Sequence, residues 1–263
     1  MALPVEEREA LANALRVSLG EMPVDGGNAW ASDHRKKALA GLKKSGRVGF
    51  MEASFRLSGG LPPKAQSELL HCAERAAIHA FGWPIGVVLH TEARPKPVSE
   101  GIVAEVNGID SSYDYWALRT NGDYYFLGNL FEDERASNVI WFDTRIVRVT
   151  ETFLFCYRLY KGLGATEEGM VTIQIRHGGL RDRTLGSARP SLWHGSACHE
   201  EEVEWKKTLS LRSLRTDLHQ NVKNVLDSLV ILFDFFQPTD EQVNAVVDEF
   251  LTKVSRQQVP FEL

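Results

Sequence analysis

Cysteine is scarce: Cys72, Cys156 and Cys198 are the only three in 263 residues, an odd number without paired spacing. That excludes a disulfide framework and points to a reducing compartment. Long apolar runs are missing too. The most apolar window, residues 226–236, contains Asp227 and Asp234 and falls far short of the roughly 20 residues that a bilayer span requires. The first residues carry Glu6, Glu7 and Glu9 where an export signal needs a basic flank and an apolar run, so a cytoplasmic location with no membrane association is expected. Cationic excess is absent: 30 lysines and arginines stand against 35 aspartates and glutamates, for a net charge of -5 and a pI near 5.9. Coating of nucleic acid through the global field is excluded, although a local basic patch is allowed. There is no P-loop or GxGxxG pattern, no Gly-x-Ser-x-Gly elbow and no His-Glu-x-x-His helix, which leaves nucleotide folds and the common hydrolase chemistries without a foothold. Internal repeats and low-complexity tracts are lacking as well.

What the chain does have is ordinary globular composition, 43% hydrophobic and 25% charged, and one strongly patterned stretch at residues 139–163. A short apolar run there leads into a helix in which Ile146, Val149, Phe153, Tyr157 and Tyr160 recur at three- and four-residue spacing. Val147, Leu154, Phe155 and Leu159 extend the apolar surface to the flanks, so the helix is expected to be buried on most sides. Its polar positions, Arg145, Arg148, Glu151, Arg158 and Lys161, are mainly cationic.

Ahead of it, residues 5–19 form a helix candidate. Ser32 and Asp33 are placed to cap a second, basic helix that Gly46 ends. A strand is expected over 47–57, and a helix over 64–80 opened by Pro63. From Trp83 the rhythm changes to short β-branched and aromatic runs at 84–90, 101–107, 114–119 and 123–130. Asn121 and Gly122 between the last two are a hairpin signal. Further strands are expected at 139–142, 170–177 and 201–208. A long apolar-faced helix follows over 211–236, then a final helix through Val254 with Thr239 and Gln242 as a capping box. The order implies an α+β fold: a mixed sheet with helices mostly on one face, in a core domain of residues 1–208, and a helical C-terminal subdomain of residues 209–263 packed on it.

The runs AAIHAFGWPIGVVL, SYDYWALRTNGDYYFLGNLFED, WFDTRIVRVTETFLFCYRLYKGLG and IRHGGLRDRTLGS resemble the region that follows the DNA-binding module in bacterial AlbA-type, Schlafen-like DNA-binding proteins. The likeness covers about residues 78–187 and, more faintly, LVILFDFF. It implies a bacterial accessory or sensor domain. No N-terminal segment shows the acidic and lysine strand pattern of the module itself, so neither its activity nor any functional residue is carried over.

Five groups of residues bear on chemistry. Arg176, His177, Arg181 and Arg183 surround Gly178 and Gly179 at a strand end, where glycine admits an anion to the backbone and arginine supplies forked donors. A phosphate or nucleic-acid backbone is one reading, with Arg148 as a further ligand contact; a solvated surface turn is the other. His194, Cys198 and His199 are close in sequence but lack a second ligand pair, so no metal site is assigned. Glu204 and Lys206 form a Glu-x-Lys step of the kind that metal-dependent nucleases use, without an identifiable partner aspartate. Asp110, Asp114, Asp123 and Asp143 flank strands, where acids commonly cap turns. Finally Trp83, Tyr113, Tyr115, Trp116, Tyr124, Tyr125 and Phe126 form an aromatic ladder. Alternation across a hairpin puts half of it on one face, as core or as an interface. The leading expectation is a non-catalytic cytoplasmic module that binds a partner protein or itself through Trp83, Tyr113, Tyr115, Trp116 and Tyr124. A nucleic-acid or phosphate binder using the 176–183 loop comes second, and a nuclease using Glu204 and Lys206 third. No catalytic residue and no cofactor is assigned.

Overall fold

The computed structural model describes residues 26–91, 93–109, 112–136, 138–188 and 196–257. The helix expected over 5–19, Asp110 and His194 lie outside them. Helix α1 (Gly26–Lys44) precedes strand β1 (Phe50–Leu57) and helix α2 (Gln66–Ala76). Strands β2 (Lys96–Val98), β3 (Gly101–Ile109), β4 (Ser112–Arg119) and β5 (Tyr124–Asn129) follow, then a 3-10 turn at Phe131–Glu134. Strand β6 (Val139–Trp141) leads into the central helix α3 (Phe142–Gly162). After it come β7 (Met170–Gly178), β8 (Thr184–Gly186), β9 (Glu202–Ser210) and the helices α4 (Ser213–Thr216), α5 (Leu218–Val230) and α6 (Asp240–Gln257).

Among these residues a seven-stranded antiparallel sheet has the order β2-β3-β4-β5-β1-β7-β9, and β6 pairs in parallel with β8 outside it. The fold is α+β with a helical C-terminal region. Strand alternation decides its two faces. On one, Met51, Ala53, Phe55 and Leu57 of β1 join Trp116, Leu118, Tyr124 and Phe126, and α3 lies across them with Phe153, Phe155 and Cys156 fully enclosed. Helices α2, α4, α5 and α6 pack around α3, and Leu214, Val222, Leu226 and Val243 belong to the same core. On the other face, among the described residues, α1 covers Phe50, Tyr113, Tyr115, Tyr125 and Leu127 through Trp30, Ala38 and Leu42. No helix among the described residues is long and apolar enough to cross a membrane.

Three local expectations are corrected. Residues 84–90 are not a strand: the backbone turns at Gly86 with φ +67, and Ile85 N and Val87 O bond to the Glu151 and Trp116 side chains, not to a neighbouring strand. Residues 211–236 are not one helix, because the chain leaves helical geometry at Asp217 (φ -115, ψ 27) and winds through turns after Val230. Helix α1 starts before Ser32 and Asp33, so Asp33 does not cap it and instead pairs with Lys36 at 3.2 Å. The capping box at α6 is formed as expected: Thr239 N donates to Gln242 Oε1 at 2.9 Å and Gln242 N to Thr239 Oγ1 at 3.2 Å.

Candidate functional site

The connection from α2 to β2 is long and mostly irregular, yet it is pinned across the first half of α3. Ile85 N donates to Glu151 Oε1 at 2.9 Å, Arg148 Nη1 donates to Trp83 O at 2.6 Å, and Trp116 Nε1 donates to Val87 O at 2.9 Å. The Arg148 guanidinium also lies over the Phe81 ring, 5.4 Å from its centre. Gly86 is needed where this segment crosses the core. A Cβ there would sit 2.6 Å from the Phe155 ring and 2.9 Å from the Tyr124 hydroxyl.

Between this loop and the ends of β1, β4 and β5 opens a cleft of about 750 Å³. Its walls are aromatic: Phe81, Trp83, Phe126 and Phe131. Its charged lining residues are Asp114, Arg145 and Arg148 at the floor, together with Glu134. A mostly apolar concavity with a few convergent polar groups is how small-ligand sites are built. Gly128 keeps the floor open, since a Cβ there would come within 2.5 Å of Asp114 Oδ1 and 2.7 Å of the Phe126 ring.

The floor charges are unusually buried. Asp114 is 4% exposed; its Oδ2 accepts the Trp83 indole N–H, while among the described residues nothing donates to Oδ1. Burial pushes its carboxyl up to about 7, against the opposing pull of Arg148 and of the indole bond. Arg145, 2% exposed, donates from Nη2 to the fully buried Glu132 at 2.9 Å, but its Nε has no partner. Arg148 pairs with Glu151 at 2.8 Å, and burial raises the Glu151 carboxyl despite that pairing. Behind Arg145 lies His177, 2% exposed with Nε2 unpartnered; burial and the neighbouring guanidinium lower it to about 3, so it is neutral at physiological pH. Asp114 and Arg145 thus line the cleft with Asp114 Oδ1 and Arg145 Nε unpaired among the described residues, and of these two atoms Nε is the one enclosed from solvent.

The arginine loop is dispersed. Arg176 projects toward the α1 face and donates to Glu52 at 3.0 Å and to Glu204. His177 projects to the opposite face. Arg183 is buried against Asp133 at 2.6 Å and donates to Gly179 O at 2.5 Å, and Arg181 is exposed beside Glu201 at 3.6 Å. The three guanidiniums do not converge, because Arg176 lies within β7 and Arg181 and Arg183 lie beyond its end, separated from each other by a turn with Asp182 at φ +63. Each faces a carboxylate. Of the predicted ligand contacts only Arg148 lines the cleft.

The aromatic ladder is divided as well. Trp83 lines the cleft, but Trp116 and Tyr124 lie under α3, and Tyr113 and Tyr115 lie under α1. The expected open hairpin face is therefore corrected, since α1 closes it. Tyr115 Oη lies 2.6 Å from His34 Nδ1 and Tyr113 Oη donates to Ala38 O at 2.9 Å. Glu204 accepts from Gln174 as well as Arg176, and Lys206 is exposed on the sheet edge. Cys198 is buried with His199 exposed next to it, and among the described residues no group of three or more His, Cys, Asp or Glu is placed to hold a metal.

Asp114 and the Arg145–Glu132 pair escaped sequence reasoning. A usable signal existed: alternation puts Asp114 on the same face as Trp116 and Leu118, so the acid belongs to an inward-facing row, not to a turn. Asp143, by contrast, does serve an element terminus, accepting from Thr144 N at 2.9 Å and Ala188 N at 3.0 Å.

No protein-family model, curated protein or solved structure matches this chain.

Proposed function

We propose that this protein is a sensor-type binding module whose ligand is a small planar molecule held in the cleft between the 80–85 loop and the ends of β4 and β5. The ligand presents an N–H donor to Asp114 Oδ1 and an anionic or acceptor group to Arg145, with its ring between Trp83 and the phenylalanines. One observation carries this reading: Asp114 and Arg145, each more than nine-tenths buried, line an open aromatic cleft in which nothing among the described residues donates to Asp114 Oδ1. An accessory or sensor role is also what the resemblance to the region beside a DNA-binding module implies. The alternatives draw less from the geometry. Partner docking through the hairpin needs aromatics that α1 and α3 enclose, phosphate capture by the 176–183 loop needs arginines that carboxylates already hold, and nuclease chemistry needs a Glu204 not committed to Arg176.

Purine nucleoside monophosphates and aromatic amino acids both combine a ring, an N–H donor and an anion, and a thermal-shift panel separates them. The matching class should raise Tm by roughly 5 °C or more at a hundredfold excess over Kd. Asp114→Asn should remove about half of that shift or more. Absence of any shift in both classes contradicts the proposal.

A further inference from the structure

The two edges of the seven-stranded sheet are protected very differently. Edge strand β2 is three residues long with Pro97 at its centre, a blunted edge. Strand β9 at the other end is nine residues long, has no proline, and pairs with β7 in continuous register from Glu202 to Ser210 without a bulge.

The register tells which of its backbone groups are free. Ser58 N donates to Met170 O, so the even-numbered residues of β7 aim their backbone groups at β1 and the odd-numbered ones at β9. The partners of those odd residues, Val203, Trp205, Lys207 and Leu209, therefore turn inward to β7. Glu202, Glu204, Lys206 and Thr208 turn their N–H and C=O groups outward, and among the described residues nothing hydrogen-bonds to them.

Charge then selects one occupant. In a two-fold pairing of β9 with itself, every contact occurs twice and the position of the axis fixes all facing pairs. An axis at Trp205 sets Glu204 against Lys206 of the second copy, Lys206 against Glu204 of the second copy, and Glu202 against Thr208. In that register the outward-turned residues meet as hydrogen-bonded pairs, and the two Trp205 side chains meet at the closer, non-hydrogen-bonded position. Moving the axis to Glu204 keeps two opposite-charge pairs, Glu202 with Lys206, but sets Glu204 against Glu204, and moving it to Lys206 sets Lys206 against Lys206 with no opposite-charge pair; like charges directly opposite are destabilising. The chain is ready for the matched register: Lys206 has no ion pair among the described residues, and both intrachain contacts of Glu204 use Oε2, leaving Oε1 free. Lysine on an edge ordinarily repels other strands. Here it admits one register and discourages its neighbours.

We propose that β9 is a self-association edge, through which two copies of this chain pair antiparallel about Trp205 and join their sheets into one. The proposal is independent of the cleft. Sedimentation analysis of the full chain tests it, with wild type expected as a dimer at micromolar concentration. Lys206→Pro removes an outward N–H and leaves the β7 ladder intact, so it should weaken association by roughly tenfold or more while the far-UV spectrum is unchanged. Lys206→Glu should do the same through charge alone, which decides the matter should the proline variant fold poorly. The double variant Glu204→Lys/Lys206→Glu should restore the dimer. A wild type that stays monomeric, or a dimer that survives both single variants, overturns the proposal.

Discussion

Asp114 accepts the indole N–H of Trp83, so the loop that forms one wall of the cleft is tied to the strand that forms its floor. The bond rests on an acid that burial holds at about 7 instead of 3.8. Because the folded value is the higher one, the native state binds this proton more tightly than the unfolded chain. The resulting stabilisation is complete below about pH 4 and is lost as pH rises through about 7. Asp114→Asn keeps the shape and the acceptor but removes the charge. Its Tm should match that of wild type near pH 4 and exceed it near pH 8. Parallel curves for the two proteins over this range would show that Asp114 does not titrate in the folded state.

Arg183 and Arg181 should behave differently despite standing two residues apart. Removing Arg183 strands Asp133 in a nearly buried position, a loss of about 3–5 kcal/mol for a broken buried pair. Arg181→Ala, at an exposed pair, should change stability by less than about 1 kcal/mol. Urea unfolding of each variant measures this. If the loop is structural, oligonucleotide binding by wild type should be weak at physiological salt and unaltered in Arg181→Ala. Salt-dependent binding that falls more than tenfold in that variant would return the loop to the functional candidates.

Phe153 is fully enclosed in the core beneath α3, with its ring edge-on to Trp205 at 5.9 Å between centres. Phe153→Ala should cost roughly 3–5 kcal/mol. Denaturant unfolding followed by far-UV dichroism gives the value directly, and a cost under about 1 kcal/mol would mean that the site can collapse around the loss.

The elements legible in the sequence were those whose own periodicity decides their state. Helix α3 reads from Ile146, Val149 and Phe153, the hairpin from Asn121 and Gly122, and β7 and β9 from short alternating runs. Where tertiary contacts decide, the reading failed. Residues 84–90 look like a strand by composition, but Glu151 and Trp116 take up their backbone groups from outside. The site was hidden for a related reason. Its residues are distant in sequence, and Arg145 becomes a cleft residue only because Glu132, outside the helix, neutralises it in the core. Arg148 and Trp83 were singled out, but as parts of two different surfaces; the hydrogen bond between them is a product of the fold.

The central claim is that the cleft beside Trp83 receives a ligand. 19F NMR of protein labelled with 5-fluorotryptophan tests it most directly, with the Trp83 resonance assigned by its disappearance in Trp83→Phe. On titration with the nucleoside monophosphates and aromatic amino acids, one class should shift the Trp83 resonance saturably while that of Trp205, which does not line the cleft, stays in place. The same titration of Asp114→Asn should need at least a roughly tenfold higher concentration, as expected for the loss of a hydrogen bond to a charged group. A Trp83 resonance that no member of either class moves, or that moves equally in Asp114→Asn, contradicts the account.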